Sequence, residues 1–292
     1  MSHASALNVY CRTEADQNRL LTEIVGPVME EALAGGRAES FFFDRFDARG
    51  PHVFVMLAAA SEDDLAQLRE SLAARLAPFL ADLPIPGQPG EEELRERHEA
   101  CRGKALSSLD RLPGLAEVNT FAFADHPASE YPFDIWSGLE RQAEFRRAFS
   151  EQSLWSIGQL AASGGKKSMG PGLRFLATID RQLRRLDLGA EAYWRFHAGT
   201  LLPATADQIA ADPAAAAASL APVVNAANQA VFDRVYAAVG REAAAEDPRA
   251  LREVIHLSLK QLGIHLGYQI PMVTHAWRRS CGLPASPPAE AP

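Results

Sequence analysis

The fold is decided by a stretch near the N-terminus that reads SFFFDRFDARGPHVFVMLAA over residues 40–59. Two apolar runs rich in aromatic and β-branched residues, Ser40–Phe46 and His52–Ala59, flank the turn-forming segment Asp47–Pro51. Such runs, when separated by Gly and Pro, are typical of β-strands joined by a turn. The stretch therefore predicts two adjacent strands.

The segments on either side extend this pattern into a sheet unit. Ala6–Arg12 alternates apolar and polar residues, which predicts a half-buried strand. Helical spacing follows over Thr13–Glu31, with Thr13 as N-cap and Gly35–Gly36 as the end, and Ser61–Ala81 predicts a second helix. The order β, α, β, β, α predicts an antiparallel sheet with helices on one face, in a ferredoxin-like unit. A strand over Ala116–Ala124 is expected to return to the sheet.

The rest of the chain has a helical pattern, so the predicted fold class is α+β. We expect one domain over residues 1–283, made of the βαββα sheet unit at 1–83 and a mostly helical body at 91–283 with one returning strand. Residues 284–292 are expected to form a disordered tail. The predicted helices of the body cover about 91–104, 138–162, 171–186, 189–199, 204–211, 219–240 and 248–281.

Composition limits the classes of function. The 292 residues are 47% hydrophobic and 23% charged, an ordinary globular composition. The net charge of −8 includes no basic run that would neutralise a series of phosphates, so we expect no nucleic-acid partner. Neither a signal-peptide start nor an apolar stretch of about 18 residues is present, which predicts a cytoplasmic protein without a membrane span. Cys11, Cys101 and Cys281 are expected to be free thiols.

Local motifs for cofactors and metals are weak. The GGKKS segment at 164–168 lacks the spacing of a phosphate-binding loop. His98 and Cys101 lie three residues apart without further ligands nearby, so no metal site is predicted. His256 lies on a helix with Leu257 and Leu259, where a histidine is usually a core or boundary residue. The residues alone therefore indicate no chemistry.

Two segments resemble a known family. The segments FFFDRF at 41–46 and GPHVFV at 50–55 resemble the signature of the C-terminal, elimination-type domain of lantibiotic dehydratases. The same signature occurs in stand-alone thiopeptide-type bacteriocin biosynthesis proteins, including thiopeptide pyridine synthases. The segment IHLSLKQL at 255–262 resembles the family's helix reading H-M-x-x-N-R-L. The two matches stand in the expected order at opposite ends of the chain.

The resemblance implies action on a ribosomally made precursor peptide, without metal or organic cofactor. One branch of the family removes glutamate from glutamylated Ser or Thr. Another joins two dehydroalanines by a formal aza-Diels–Alder reaction. Elimination needs a base and cationic donors for the departing carboxylate, so the family uses a His with several arginines. Cycloaddition needs two arms of one peptide held together, with acid–base help for tautomerisation and loss of water.

The departures from the family pattern favour the second branch. His256 and Arg45 match the pattern, but the family's H-x-R-x-R strand reads HVFVM at 52–56. The Asn-Arg pair of the C-terminal helix is replaced by Lys260-Gln261. Losing one such donor costs roughly 3 kcal/mol of transition-state stabilisation. The sequence therefore predicts a tailoring enzyme resembling pyridine synthases.

The resemblance also suggests site residues. His256 is the expected acid or base, and Tyr268, twelve residues on and so about three turns along the same helix, is the second candidate catalytic residue. The residues expected to bind substrate are Arg45, His52, Lys260 and Gln269.

Three other interpretations stay open. The chain is a glutamate elimination lyase, a non-catalytic subunit that binds a leader peptide, or an unrelated α+β protein. The expected partners are the precursor peptide, leader plus core, and dehydratase or cyclodehydratase proteins. An exposed strand edge at Ala6–Arg12 is expected to accept an extended peptide.

Overall fold

The computed structural model describes residues 3–84, 106–126, 142–164, 169–185, 189–201 and 248–264, with the single residues 92, 96, 187, 269, 272, 273 and 276. The chain divides into two compact units, residues 1–166 and 167–292. The returning strand and the helix after it belong to the first unit. The predicted tail and the helices at 204–211 and 219–240 lie outside the described residues, and of the predicted helix at 91–104 the structure describes residues 92 and 96.

The first unit contains a four-stranded antiparallel sheet. Its strands are β1 (His3–Tyr10), β2 (Ser40–Phe46), β3 (His52–Ala59) and β4 (Thr120–Asp125), in the order β2-β3-β1-β4. With helices between β1 and β2 and between β3 and β4, this is the split βαβ arrangement of ferredoxin-like sheets. The predicted α+β class is confirmed.

Helices cover one face of this sheet. They are α1 (Glu14–Arg19), a π-helical segment (Leu20–Val25), α2 (Gly26–Ala34) and α3 (Glu62–Ala81). Thr13 and Ser61 are the N-caps, since their side chains accept hydrogen bonds from the amides of Asp16 at 3.0 Å and Asp64 at 3.1 Å. The apolar faces of these helices and the alternate strand residues form one buried core.

The edge of the sheet at β2 is closed by α4 (Gln142–Ala162). The hydroxyl of Ser150 accepts a hydrogen bond from the backbone N–H of Phe41 at 2.9 Å. Phe149 stacks on Phe42, with 5.5 Å between ring centroids. The amide and the aromatic surface of this edge strand are therefore covered within the unit.

The expectation of an exposed edge at Ala6–Arg12 is wrong. β1 is an inner strand, because Leu7 pairs with Val55 of β3 on one side and with Phe123 of β4 on the other. Both rows of its backbone groups are occupied, so no peptide can add there as a further strand.

The second unit is helical where the structure describes it. Its helices are α5 (Met169–Arg185), α6 (Ala190–Leu201) and α7 (Pro248–Gln261). Gly172 of α5 allows close packing against α7, since a Cβ atom there would lie 3.2 Å from Leu259 and 3.0 Å from Met272. Among the described residues, no helix is both long and apolar enough to cross a membrane.

The predicted single helix over 248–281 is wrong, because α7 ends at Gln261. Gly263 follows with a φ of 75°, a conformation that glycine adopts without steric cost. The amide of Ile264 then bonds to the carbonyl of Leu259 at 2.9 Å, which closes the helix end. The chain therefore changes direction before the second part of the predicted helix.

Candidate active site

His256 is held in one orientation by a buried glutamine. Its Nδ1 atom lies 2.8 Å from Oε1 of Gln269, which is 1% exposed. The amide nitrogen of Gln269 donates hydrogen bonds to the carbonyls of Ile264 at 2.7 Å and His256 at 3.4 Å. Because those carbonyls only accept, the amide oxygen faces the ring and Nδ1 carries the proton. In the neutral ring the lone pair is therefore on Nε2, where a base would use it.

The turn after α7 builds this contact. The helix closure at Gly263 reverses the chain, so the carbonyl of Ile264 and the side chain of Gln269 return toward His256. Gln269, expected from the sequence to bind substrate, contacts the histidine and fixes its tautomer, and its role in substrate binding stays a prediction. The break that ends α7 is therefore part of the site.

His197 is a second buried histidine, and the sequence did not single it out. It lies on α6, 1% exposed, and its ring stacks on Trp194 with 13° between the ring planes. Its Nδ1 atom lies 3.4 Å from the hydroxyl of Tyr193. Burial first, and then the positive charges of Arg252 and His256, lower its pKa to about 3. His197 is therefore neutral at physiological pH and interacts electrostatically with His256.

The surroundings of His197 explain why it is buried. Tyr193, Trp194 and His197 share one face of α6 at helical spacing. The indole N–H of Trp194 donates to Asp180 of α5 at 2.9 Å, which ties the two helices together. The sequence signal was Tyr-Trp-x-x-His, a pattern that equally fits an aromatic core helix. Only the positive charges of Arg252 and His256 on α7, which act on the His197 ring, distinguish His197 from an ordinary core residue.

Two further predicted residues belong to the C-terminal region. Lys260 lies one turn after His256 on the same face of α7 and is partly exposed. Tyr268 lies outside the described residues. The helix that carries His256 ends at Gln261. The roles of Lys260 in substrate binding and of Tyr268 in catalysis stay predictions.

Arg45 lies in the first unit, within the helix-covered core. It is 7% exposed, and its guanidinium bonds to Gln17 at 3.2 Å and to Asn18 at 2.5 Å. Burial lowers its pKa to about 10, so it stays charged at neutral pH. Its surroundings favour a role in anchoring α1 to the sheet, and binding of substrate by Arg45 stays a prediction.

His52 lies on the opposite face of the sheet from Arg45. Arg45 pairs with the core residue Val53 and His52 pairs with Phe46, and consecutive strand residues point to opposite faces. The two side chains therefore do not converge, although the sequence grouped them in one set.

His52 belongs to a buried polar network that the sequence did not indicate. Its Nδ1 lies 2.9 Å from the carbonyl of Gly50, and its Nε2 lies 3.3 Å from Oδ1 of Asp110. Asn8 donates to the same Oδ1 at 2.8 Å and also to the hydroxyl of Tyr10 at 3.2 Å. These contacts join β1, β3 and the segment that carries Asp110 within the first unit.

The strand positions at which the family carries arginines are apolar and buried. Phe54 is 0% exposed and Met56 is 2% exposed. The Phe54 ring lies 5.9 Å from Phe42 in an edge-on arrangement and 5.7 Å from His126. This part of the sheet therefore offers an aromatic surface where the family pattern has two cations.

No group of His, Cys, Asp or Glu suited to hold a metal ion is present within the part of the chain that the structure describes. In the second unit, Tyr193 lies beside His197 and Gln269 lies beside His256. These groups suit proton transfer.

The fold and these sites define an α+β protein with a ferredoxin-like sheet unit and a helical unit that carries an oriented histidine. The family described as "Lantibiotic biosynthesis dehydratase C-term" matches residues 5–280. The chain belongs to this family, and the resemblance seen in the sequence is confirmed.

Two solved structures are similar over nearly the whole chain. One, described as "Pyridine synthase, TbtD, from thiomuracin biosynthesis", has a TM-score of 0.66 at 17% identity and covers 96% of this chain and 98% of its own. Another, "Crystal structure of TsrL", has a TM-score of 0.53 at 13% identity and covers 96% of this chain and 95% of its own. At these identities the likeness shows the fold alone. No curated protein sequence matches the chain.

Proposed function

We propose that the chain is a tailoring enzyme of ribosomally synthesised peptide natural product biosynthesis. Its substrate is a precursor peptide, leader plus core, that carries dehydroamino acids. The reaction is a formal aza-Diels–Alder cycloaddition of two dehydroalanines. Membership of the family supports the class of pathway, and the likeness to a protein described as a pyridine synthase is consistent with the reaction. Because its peptide is made on ribosomes, we place the reaction in the cytoplasm.

The observation that carries this proposal is the contact between His256 and Gln269. A partly exposed imidazole with its proton held on Nδ1 presents Nε2 as a base. Gln269 is itself fixed by two carbonyls, so the tautomer does not depend on substrate. Such a histidine suits a reaction in which protons move but no strongly charged group departs.

The proposed chemistry uses this imidazole twice. Nε2 first takes the proton of an amide nitrogen and delivers it to the carbonyl oxygen, which gives the hydroxy-azadiene. The diene and the second alkene then form one carbon–carbon and one carbon–nitrogen bond. In the final loss of water, the neutral Nε2 takes a proton from the new ring, and the imidazolium so formed delivers it to the hydroxyl as the carbon–oxygen bond breaks. Holding both arms of the peptide in register supplies the entropic part of the rate.

Glutamate elimination is the weaker candidate. A departing glutamate carboxylate is stabilised by cationic donors, and the two strand positions that carry arginines in the family hold Phe54 and Met56. Both are buried against other side chains, so they offer the leaving group neither charge nor hydrogen bonds.

A leader-peptide-binding subunit is the second candidate function. The same apolar positions favour it, since a chain that only grips a peptide needs no cations at a reacting centre. In this case the chain would present the peptide to dehydratase or cyclodehydratase partners. The two candidates differ in whether the mass of the peptide changes.

The test is mass spectrometry of a precursor peptide incubated with the purified chain. Loss of water from a dehydroalanine-containing peptide, with or without loss of the leader, supports cycloaddition. Loss of a glutamyl residue from a glutamylated peptide supports elimination. An unchanged mass with tight binding supports the binding subunit.

A matched pair of substitutions tests the role of His256. His256→Gln is expected to reduce turnover by roughly 10²-fold or more, the usual contribution of a general acid–base group. His3→Gln, the same change at an exposed position in the first unit, is expected to leave turnover unchanged. Full activity of folded His256→Gln would remove the residue assignment.

A further inference from the structure

A small cavity lies at the C-terminal end of β1, in the first unit. Its volume is about 20 Å³. The described residues that line it include two arginines and a tyrosine but no acidic side chain. Its lining includes Tyr10, Arg12, Arg49, Pro51, Leu115 and Val118. The cavity is therefore locally positive in a chain whose net charge is −8.

Arg12 supplies a hydrogen-bond donor to this region. Its Nη1 atom is buried and has no hydrogen-bond acceptor among the residues that the structure describes. A buried guanidinium N–H without an acceptor is unfavourable, and the acceptors that suit it best are anionic oxygens.

Tyr10 supplies a second donor. Its hydroxyl oxygen accepts hydrogen bonds from Asn8 at 3.2 Å and from the guanidinium of Arg49. Asn8 contacts this oxygen through its donor Nδ2 and Arg49 has no acceptor, so neither contact uses the hydroxyl proton of Tyr10. Burial first, and then the negative charge of Asp110, raise the pKa of Tyr10, which keeps the hydroxyl protonated.

Arg49 is fixed by the loop on the other side of the cavity. It donates to the carbonyls of Gly114 at 3.1 Å and Leu109 at 3.4 Å, and its own carbonyl accepts from the amide of Ala116 at 2.8 Å. Its guanidinium also lies over the ring of Tyr10, 5.8 Å from the centroid. Arg49 therefore adds a fixed positive charge, and Arg12 and Tyr10 add the donors.

We propose that this cavity binds a carboxylate group. One carboxylate oxygen accepts from the Tyr10 hydroxyl and the other from the Arg12 guanidinium, while Arg49 stabilises the charge. The volume equals that of one or two water molecules, which suits a planar carboxylate better than a phosphate. The apolar side chains of Pro51 and Leu115 suit the aliphatic carbons behind it. The carboxylate is that of an Asp or Glu side chain in a peptide or of a small free acid.

Two probes separate these sources. Formate tests for the carboxylate alone, and N-acetyl-glutamate N-methylamide tests for an acidic side chain in a peptide. Binding is followed in ¹H–¹⁵N NMR spectra of the full chain at constant ionic strength. We expect saturable shifts at the amides of Arg12, Ala116 and Val118.

Three variants test the residues. Arg12→Gln and Tyr10→Phe are each expected to weaken formate binding by at least about tenfold, because each removes one hydrogen bond to a charged group. Arg75→Gln changes an arginine on the exposed part of α3 and is expected to keep wild-type affinity. Thermal unfolding of each variant checks that the fold is retained.

The outcomes are distinct. Binding of both probes identifies a peptide side chain, and binding of formate alone identifies a small free acid. Absence of saturable formate shifts in the wild type overturns the proposal, as does unchanged affinity in folded Arg12→Gln and Tyr10→Phe. No step of the assay requires turnover, so its result is independent of the proposed cycloaddition.

Discussion

Replacing Gln269 with leucine separates the orientation of His256 from the stability of the second unit. The two side chains have similar volumes, but the change removes three hydrogen bonds. The carbonyl of Ile264, a residue that is 0% exposed, loses its partner at 2.7 Å. Leaving one buried carbonyl unsatisfied costs roughly 1–3 kcal/mol. Because His256 is partly exposed, its Nδ1 can bond to water, so we expect the total loss in unfolding free energy to stay near that range.

The effect on activity follows from the tautomer. Without the amide oxygen of Gln269, the proton of the neutral ring can move to Nε2, and the ring can rotate. General acid–base groups contribute roughly 10²–10⁴-fold to a rate, so we expect kcat to fall by at least about tenfold. Gln269→Glu keeps an acceptor for the Nδ1 proton but cannot donate to the carbonyl of Ile264. It is expected to lose at least as much stability while retaining most of the rate.

Three measurements check this pair. Urea unfolding gives the free energies, and mass spectrometry of the peptide product gives the rates. The ¹⁵N spectrum of the His256 ring identifies the protonated nitrogen directly, whatever the substrate proves to be. A wild-type ring protonated on Nε2 would refute the reasoning, and so would a Gln269→Leu variant that loses stability but turns over at the full rate.

Further predictions concern single buried groups. Asp110→Ala should lower the unfolding free energy by roughly 2–5 kcal/mol in urea titrations, since the amides of Leu106 and Ser107 lose their buried acceptor; a loss below 1 kcal/mol would mean that water replaces the carboxylate. Cys11 should stay unlabelled by iodoacetamide until the chain is unfolded, because burial raises its pKa to about 12, and rapid native labelling would contradict this. The pKa of His197 is lowered in the folded chain, so the unfolded chain binds more protons between about pH 3 and pH 6.5, and stability falls as the pH falls through that window. A His197→Phe variant should therefore lose less stability than the wild type between pH 6.5 and 4, and equal slopes would show that His197 protonates freely.

The local elements of the first unit follow from the sequence. The strands Ser40–Phe46 and His52–Ala59 have the predicted bounds, and Thr13 and Ser61 cap the predicted helices. Each of these features depends on neighbours within a few residues, where side-chain alternation and capping chemistry act. The strand at Thr120–Asp125 was predicted four residues too early at its start, because the preceding turn carries a similar apolar pattern.

The errors concern one helix end and contacts between residues far apart in the chain. The predicted helix over 248–281 continues an apolar pattern through Gly263, but the helix ends at Gln261 and Gly263 has a φ of 75°. The prediction of a sheet edge at Ala6–Arg12 is wrong, because the pattern of one strand does not show which strands pair with it. Asp110 was not predicted, because its partners Asn8 and His52 lie on β1 and β3 and come close to it only in the folded chain.

For this protein the sequence by itself determined the α+β class, the local elements of the sheet unit and the family, and it suggested His256 as a candidate. The tertiary structure alone decided which atom of His256 carries the proton, that Arg45 and His52 lie on opposite faces of the sheet, and that Arg12 and Tyr10 meet at one cavity. The physical reason is the sequence separation over which each kind of interaction acts. Propensity and capping act over a few residues, whereas hydrogen bonds, burial and charge interactions join residues that the chain separates by tens of positions.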